Sequence, residues 1–348
     1  MGYLEKRNKD VVTLHNIYNS NIPKSIRDLL EIPEVLKMNG ISAHCGVDYT
    51  RLGFFKFYYS KLDHDVGIAL IMSKFGQDVK AVTSAMLHDI SSTAFAHVYN
   101  FMKEDYRFEK NSHKVNAFDT IVDSEGLFKY FIDNEISIMD VYDCSKYPLS
   151  NNLTPKLSAD RLEYILENGL NASLRTADQI ANIYNDLTIV KNENFNEEFC
   201  FQTVELAEDF CKLSIEVGKI FNSYEQKLSM QLLADILSLM IKRGIITEED
   251  LFKYSDKVIM DMGINSDDER VVNAWRAFLS LDKVYASFNK PENKYSAQII
   301  SKRRYVDPLI KTDTGLYRIS KLSNKCKDAI YDFLVNNTDM YAYIENEF

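Results

Sequence analysis

Histidines and aspartates that could bind a metal concentrate in one part of this 348-residue sequence. The chain has only six histidines, and four of them lie close together: His64, His88, His97 and His113. Asp89 directly follows the second of these histidines, and Asp160 lies downstream in the segment L-S-A-D-R-L-E-Y. A group of imidazoles with an adjacent carboxylate is what a divalent metal site requires.

Four of these side chains occur in the order His, His-Asp, Asp. Two imidazoles and two carboxylates suit borderline ions such as Mn, Fe, Ni, Co or Zn better than Ca. We therefore expect one divalent ion, with Mg as a further candidate, bound by four ligands: His64, His88, Asp89 and Asp160. An ion with open coordination positions lowers the pKa of bound water and polarises a phosphoryl oxygen.

Three segments resemble a known family. Residues 88–97 read H-D-I-S-S-T-A-F-A-H where the family has H-D-x-G-H-x-P-F-x-H, and residues 158–164 read S-A-D-R-L-E-Y where it has D-A-D-R-L-D-Y. Residues 304–308, R-Y-V-D-P, are similar to a segment of bacterial members. The chain thus resembles the HD-domain superfamily of metal-dependent phosphohydrolases, in particular its dNTP triphosphohydrolase-like branch, and also uncharacterised bacterial HD-domain proteins. The resemblance covers roughly residues 20–190 and, more weakly, the tail.

The resemblance implies roles for further residues. It implies that His113 assists catalysis near the phosphates, and it matches His97 to the second histidine of the segment after His88-Asp89. The candidate catalytic residues are therefore His113, His97 and Asp89, with one histidine passing a proton to the leaving oxygen, while a core histidine bonded to the backbone is an equal alternative for His97. It also implies that three residues bind phosphate or sugar: Lys61, Arg161 and Tyr164. Lys302, Arg303 and Arg304 are interpreted instead as a solvated strand edge.

The sequence departs from the family pattern at two places. Ser91 and Ser92 stand where the family has Gly-His, so a histidine used in triphosphate hydrolysis is missing. Asn168 stands where an aspartate often contacts the sugar. These departures leave the metal ligands unchanged but leave the identity of the substrate open.

Composition favours a mainly α-helical protein. Hydrophobic residues make up 46% of the chain, and there are only 6 Pro and 12 Gly. The net charge of −10 disfavours non-specific nucleic-acid binding, which needs a basic surface. The sequence shows neither a membrane-spanning apolar run nor a signal peptide, and its five cysteines have no C-x-x-C spacing. We therefore expect a cytoplasmic location.

The helical periodicity predicts the elements that must position the site. Helices are expected at residues 61–75, 79–88, 93–102, 160–168, 175–190, 198–221, 225–243 and 266–282. A small pair of strands around a Thr-Asp-Thr-Gly turn is expected at residues 296–309 and 316–322. The predicted organisation is an HD-domain core at 1–190 with its motifs at 60–170, a helical extension at 191–290, and a small α+β region at 291–348.

Three functions remain open at this point. The first is a metal-dependent phosphohydrolase acting on a nucleotide or a similar small phosphoester, which the resemblance implies to be a homo-oligomer. The second is a di-iron HD-type oxygenase, which needs additional ligands that only His97 and His113 could supply. The third is a nucleotide-sensing HD protein without catalysis, which the missing Gly-His segment suggests.

Overall fold

The computed structural model describes residues 3–106, 112–300, 302–335 and 340–345, with the backbone alone for residues 112–116. The fold is mainly α-helical, as the sequence predicts, and its short strands form two small sheets. Within these described residues, no helix is both long and apolar enough to cross a membrane.

Eleven helices precede the first strand of the described chain. They are α1 (Lys9–Asn19), α2 (Lys24–Leu29), α3 (Pro33–Lys37), α4 (Lys61–Lys74), α5 (Val79–Met86), α6 (Val98–Met102), α7 (Ser112–Val122), α8 (Glu125–Asp133), α9 (Ile138–Val141), α10 (Ala159–Asn171) and α11 (Ala177–Asn185). Seven follow: α12 (Val204–Phe221), α13 (Tyr224–Lys242), α14 (Glu248–Lys253), α15 (Asp256–Ile264), α16 (Glu269–Ser280), α17 (Ile319–Leu322) and α18 (Asn324–Val335).

Helix α4 lies at the centre of the fold, and its prediction is confirmed. It begins with a capping box, in which Ser60 Oγ accepts from the backbone N–H of Asp63 and the Asp63 carboxylate accepts from the backbone N–H of Ser60. Every residue from Lys61 to Met72 is buried. A helix that is buried all round belongs inside the protein and gives its side chains little freedom to move.

The predicted helix at residues 93–102 is wrong in its first half, because α6 begins only at Val98. Phe95 and Ala96 have left-handed backbones, with φ of 59° and 51°. The backbone N–H of Phe95 donates to Asp256 Oδ1 at 2.6 Å, so this segment binds α15 instead of forming its own helical turn. Such residues persist in strained conformations only where surrounding contacts hold them.

The helices predicted at 175–190 and 198–221 are also partly wrong. Strand β1 (Leu187–Lys191) pairs antiparallel with β2 (Glu197–Phe201), between the end of α11 and the start of α12. The β-branched and aromatic residues of these strands favour extended backbone, and the asparagines between them favour a turn.

The C-terminal strands complete this sheet. The predicted pair of strands is a shorter hairpin of β5 (Leu309–Thr312) and β6 (Gly315–Arg318), and β5 pairs parallel with β2. The sheet order is β1-β2-β5-β6. A second sheet has the order β3-β7-β4, formed by β3 (Tyr285–Ser287), β4 (Ser296–Ala297) and β7 (Tyr341–Tyr343).

Buried apolar side chains form two clusters. The larger one surrounds α4 and includes side chains of α1, α5, α10 and α12. The second gathers α13 to α16 around the fully buried Trp275 and includes residues of the segments 41–45 and 94–101. Residues of both segments line the same cavity as the predicted metal ligands, so the second cluster helps to position the site.

Candidate metal centre

His64 lies in the first turn of α4 and faces carboxylates on both ring nitrogens. Its Nε2 lies 3.3 Å from Asp160 Oδ1 and 4.0 Å from Asp89 Oδ2. Its Nδ1 is hydrogen-bonded to Glu163, a fully buried carboxylate that also accepts from Tyr59 OH at 2.6 Å. An Nδ1–H held by a carboxylate leaves Nε2 free to bind a metal.

His88 and Asp89 follow directly after α5, whose C-cap is Leu87. The backbone N–H of Asp89 donates to Asp65 Oδ2 at 3.2 Å, and its Oδ2 accepts from Lys61 Nζ at 2.6 Å. These two bonds fix both the backbone and the carboxylate of Asp89. His88 has a different kind of partner, because its Nδ1 lies 3.1 Å from Cys144 Sγ.

Asp160 lies in the first turn of α10, which Ser158 caps. Its Oδ1 lies 3.3 Å from His64 Nε2 and 3.8 Å from His88 Nε2. The donor atoms of His64, His88 and Asp89 all lie within 4.8 Å of one another. The structure therefore brings the four predicted ligands together, and their two nitrogens and two oxygens fit a borderline divalent ion.

The electrostatics of the cluster also fit a cation. Burial alone lowers the pKa of His64, but the carboxylates of Glu163 and Asp160 raise it to about 10. Burial likewise opposes the charged form of His88, and Cys144, Asp89 and Asp160 raise its pKa well above the ordinary value. Because the surrounding negative charge favours positive imidazoles in spite of burial, the same field favours a metal ion.

A cavity of about 360 Å³ lies against the cluster. Its wall carries five cationic side chains: Lys61, Arg161, Lys227, Lys302 and Arg304. Lys227 comes from α13, while the last two come from the segment before β5. Residues 302–304 do not form a strand, so their interpretation as a solvated strand edge is wrong, and two of them line the cavity.

The predicted substrate residues all line this cavity, but two of them already have strong partners. Lys61 Nζ binds Asp89, and the Arg161 guanidinium donates to Asn152 Oδ1 at 2.5 Å and to the carbonyl of Lys156 at 3.1 Å. Arg161 thus holds the loop that precedes α10. Tyr164 is the third residue, and its roles and those of the other two stay predictions.

The two predicted catalytic histidines have different outcomes. His97, which precedes α6, lines the cavity. The side chain of His113 lies outside the part of the chain that the structure describes. The catalytic roles of both histidines, and that of Asp89, stay predictions.

Sequence reasoning missed Glu163, Cys144 and Lys227 and assigned no role to His44. Glu163 lies three residues after Asp160, and this helical spacing could have indicated that both carboxylates share a face of α10. His44 also lines the cavity, where it stacks on Phe55 with ring centroids 3.7 Å apart and pairs with Glu167 at 3.3 Å. Cys144 and Lys227 carry no local signal, because only the tertiary fold brings them to the ligands.

Comparisons with known proteins place this site in context. No family model matches the chain. YdhJ, an uncharacterized protein of Bacillus subtilis, is 25% identical over 279 residues, which cover 78% of this chain and 80% of that protein. The metal-dependent phosphohydrolase cns2 of Cordyceps militaris is 29% identical over 147 residues, which cover 41% of this chain and 40% of that protein.

Two solved structures share the fold. A phosphohydrolase from Bacteroides thetaiotaomicron has a TM-score of 0.64 and 14% identity, covering 93% of this chain and 96% of that one. A hypothetical protein from Aquifex aeolicus has a TM-score of 0.66 and 11% identity, covering 93% of both chains. At these identities the two structures show the fold alone, so membership of the HD-domain superfamily and of its dNTP triphosphohydrolase-like branch stays a prediction.

Proposed function

We propose that this protein hydrolyses a phosphoester or phosphoanhydride bond of a small phosphorylated compound, with a nucleotide as the expected substrate. One observation carries the proposal, namely that the metal-ligand cluster and five cationic side chains share one cavity. The name of the Cordyceps relative, a metal-dependent phosphohydrolase, supports the same reaction class.

The chain's own residues prepare the metal site. His64, His88, Asp89 and Asp160 would hold the ion, which when bound activates a water molecule and polarises a phosphoryl oxygen. Lys61 holds the Asp89 carboxylate in place at 2.6 Å. Because Lys61 is buried, its charge acts where water screens little.

The remaining cationic side chains suit the substrate's charge. Lys227, Lys302 and Arg304 line the cavity from α13 and from the segment before β5, away in sequence from the metal ligands. Positive groups at several points of a cavity stabilise phosphate oxygens and the charge that develops on them during transfer. The cavity volume of about 360 Å³ is within the range of small-molecule sites.

His97 is the candidate proton donor of the described cavity wall. An imidazole can hold a proton near neutral pH and pass it to a leaving oxygen. This role requires His97 to reach the leaving group in the bound complex, so His97→Gln should lower kcat more than it raises KM.

A product screen tests the proposed reaction. Purified protein is incubated with Mn²⁺ and a panel of nucleotides and phosphomonoesters, and products are identified by mass spectrometry. Asp89→Ala removes one ligand and is expected to lower turnover by at least about 100-fold and to weaken Mn²⁺ binding. The matched control is Asp133→Ala, which removes an exposed aspartate of α8 that does not line the cavity.

The product mass identifies whether phosphate, pyrophosphate or triphosphate leaves. Full activity of Asp89→Ala would contradict the mechanism. Nucleotide binding without any product across the panel would favour the sensor instead, and two irons per chain with oxygen consumption would favour the oxygenase.

A further inference from the structure

The two histidines of the metal centre have chemically different partners at Nδ1. His64 meets the carboxylate of Glu163, whereas His88 Nδ1 lies 3.1 Å from the sulfur of Cys144. His88 can bind a metal through Nε2 only if the ring proton is on Nδ1. In that tautomer Nδ1–H donates to Sγ, because the sulfur lies within hydrogen-bond distance and can accept.

The fold holds Cys144 at this position from two directions. Ser84 of α5 donates to the carbonyl of Val141 at 2.9 Å, which ties the segment before Cys144 to the helix that leads to His88. Asn151 Nδ2 lies 3.5 Å from Sγ as a second donor to the sulfur. Cys144 itself begins a short 3-10 turn, Cys144–Lys146.

We propose that Cys144 is a positioning residue of the metal centre, which holds the His88 ring so that Nε2 faces Asp160 and the cavity. The inference rests on the proposed metal site. It adds a thiol to the groups that set the metal affinity. Cys144 is also accessible in part, whereas the other four cysteines of the chain are buried, so a thiol reagent reaches Cys144 before the others.

The dissociation constant for Mn²⁺, measured by isothermal titration calorimetry, tests this role. Cys144→Ala removes the acceptor and is expected to weaken binding by about 10- to 100-fold, the usual effect of losing a partner of a metal-bound histidine. Cys144→Ser retains an acceptor and should lose less affinity than Cys144→Ala. The matched control is Cys326→Ala, which removes a thiol from α18 and should bind Mn²⁺ like the wild type.

Two further readouts separate positioning from general stability. The melting temperature in the presence of a chelator should be the same for Cys144→Ala and Cys144→Ser. The visible absorption spectrum of the Co²⁺-loaded protein should change in Cys144→Ala, because the His88 ring is free to rotate.

Chemical modification tests the inference without a variant. Methyl methanethiosulfonate converts the Cys144 thiol to a methyl disulfide and releases methanesulfinate, and mass spectrometry counts the adducts. A single adduct on Cys144 should weaken Mn²⁺ binding as Cys144→Ala does, and dithiothreitol should restore it. Unchanged affinity in both the Ala variant and the modified protein would overturn the inference, whereas a wild type that binds no divalent ion would overturn the metal centre itself.

Discussion

The candidate metal centre has an inner side, on α4, and an outer side, on α5, that are built differently. On the α4 side, His64 has only 8% of its side chain exposed and its partner Glu163 is fully buried. On the α5 side, His88 has 19% of its side chain exposed and its partner Cys144 is half-buried on a short turn. The α4 side is thus part of the protein core, whereas the α5 side depends on a loop.

This difference has a physical consequence. On the α4 side the hydrogen bonds continue inward from Glu163 to Tyr59 and to the buried His15, so His64 cannot move without disturbing the core. On the α5 side the hydrogen bonds run from His88 to Cys144 and Asn151, which are only partly buried, so a change there disturbs the core less. We therefore expect changes on the α4 side to affect both folding and metal binding, and changes at Cys144 to affect metal binding alone.

The largest difference is expected between Glu163→Ala and Cys144→Ala. Glu163→Ala leaves buried His64 Nδ1 without its acceptor and leaves Tyr59 OH with only the backbone carbonyl of Asp63. It should lower the free energy of unfolding by about 3–5 kcal/mol, the usual effect of breaking a buried pair. Cys144→Ala should lower it by less than about 1 kcal/mol. Urea denaturation in a chelating buffer measures both values, with Glu205→Ala on the exposed face of α12 as the control. Equal losses for the two variants would contradict the distinction between the two sides.

The pH dependence of the free energy of unfolding should report on His15, the residue at which the hydrogen bonds of the inner side end. Burial lowers the pKa of His15 from 6.5 to about 4, so between these values the unfolded chain binds a proton that the folded protein does not. The contribution of His15 to stability is therefore fully present above pH 6.5 and is lost as the pH falls toward 4, by about 3 kcal/mol in total.

His15→Phe should remove this contribution while keeping the ring that stacks on Tyr3. Urea denaturation at several pH values between 4 and 8 gives the free energy of unfolding of both proteins. The wild type should lose more stability than His15→Phe on acidification. Parallel curves for the two proteins would show that the pKa of His15 is not lowered by folding.

The smallest expected effects concern the helix caps that precede the two histidines. Ser60 is fully buried and caps α4, whereas Asp78 is exposed and caps α5 by accepting from the backbone N–H of Ala81 at 2.8 Å. Ser60→Ala should cost about 1–2 kcal/mol and Asp78→Ala about 0.5–1 kcal/mol. Thermal melts measure the stability loss of both variants. Asp78→Asn, which keeps a capping oxygen, is the control. A larger loss of stability in Asp78→Ala than in Ser60→Ala would contradict the assignment of α4 to the inner side and α5 to the outer side.

The ligand cluster could be predicted because its chemistry is local in sequence. His88 and Asp89 are adjacent, and Asp160 opens a helix in a recognisable segment. Helix α4 could be predicted from the helical spacing of its apolar residues. The strands at 187–201 were missed because short apolar runs are compatible with either helix or strand until their pairing is known.

Other features depend on contacts between distant residues. Phe95 and Ala96 leave helical geometry because Asp256, far away in sequence, binds the backbone N–H of Phe95. Lys302 and Arg304 line the cavity because the β2–β5 pairing brings the tail to the core. No periodicity in either segment could predict these contacts.

The sequence by itself determined the mainly helical class, the four candidate ligands and their preference for a divalent ion, because these follow from residue type and short-range spacing. The tertiary structure alone decided the partners of each ligand, since Glu163 and Cys144 reach His64 and His88 only through the packing of separate helices and turns. It also decided which charged side chains meet at the cavity, because an acidic chain can still bring five cationic side chains to one cavity when its fold brings distant segments together.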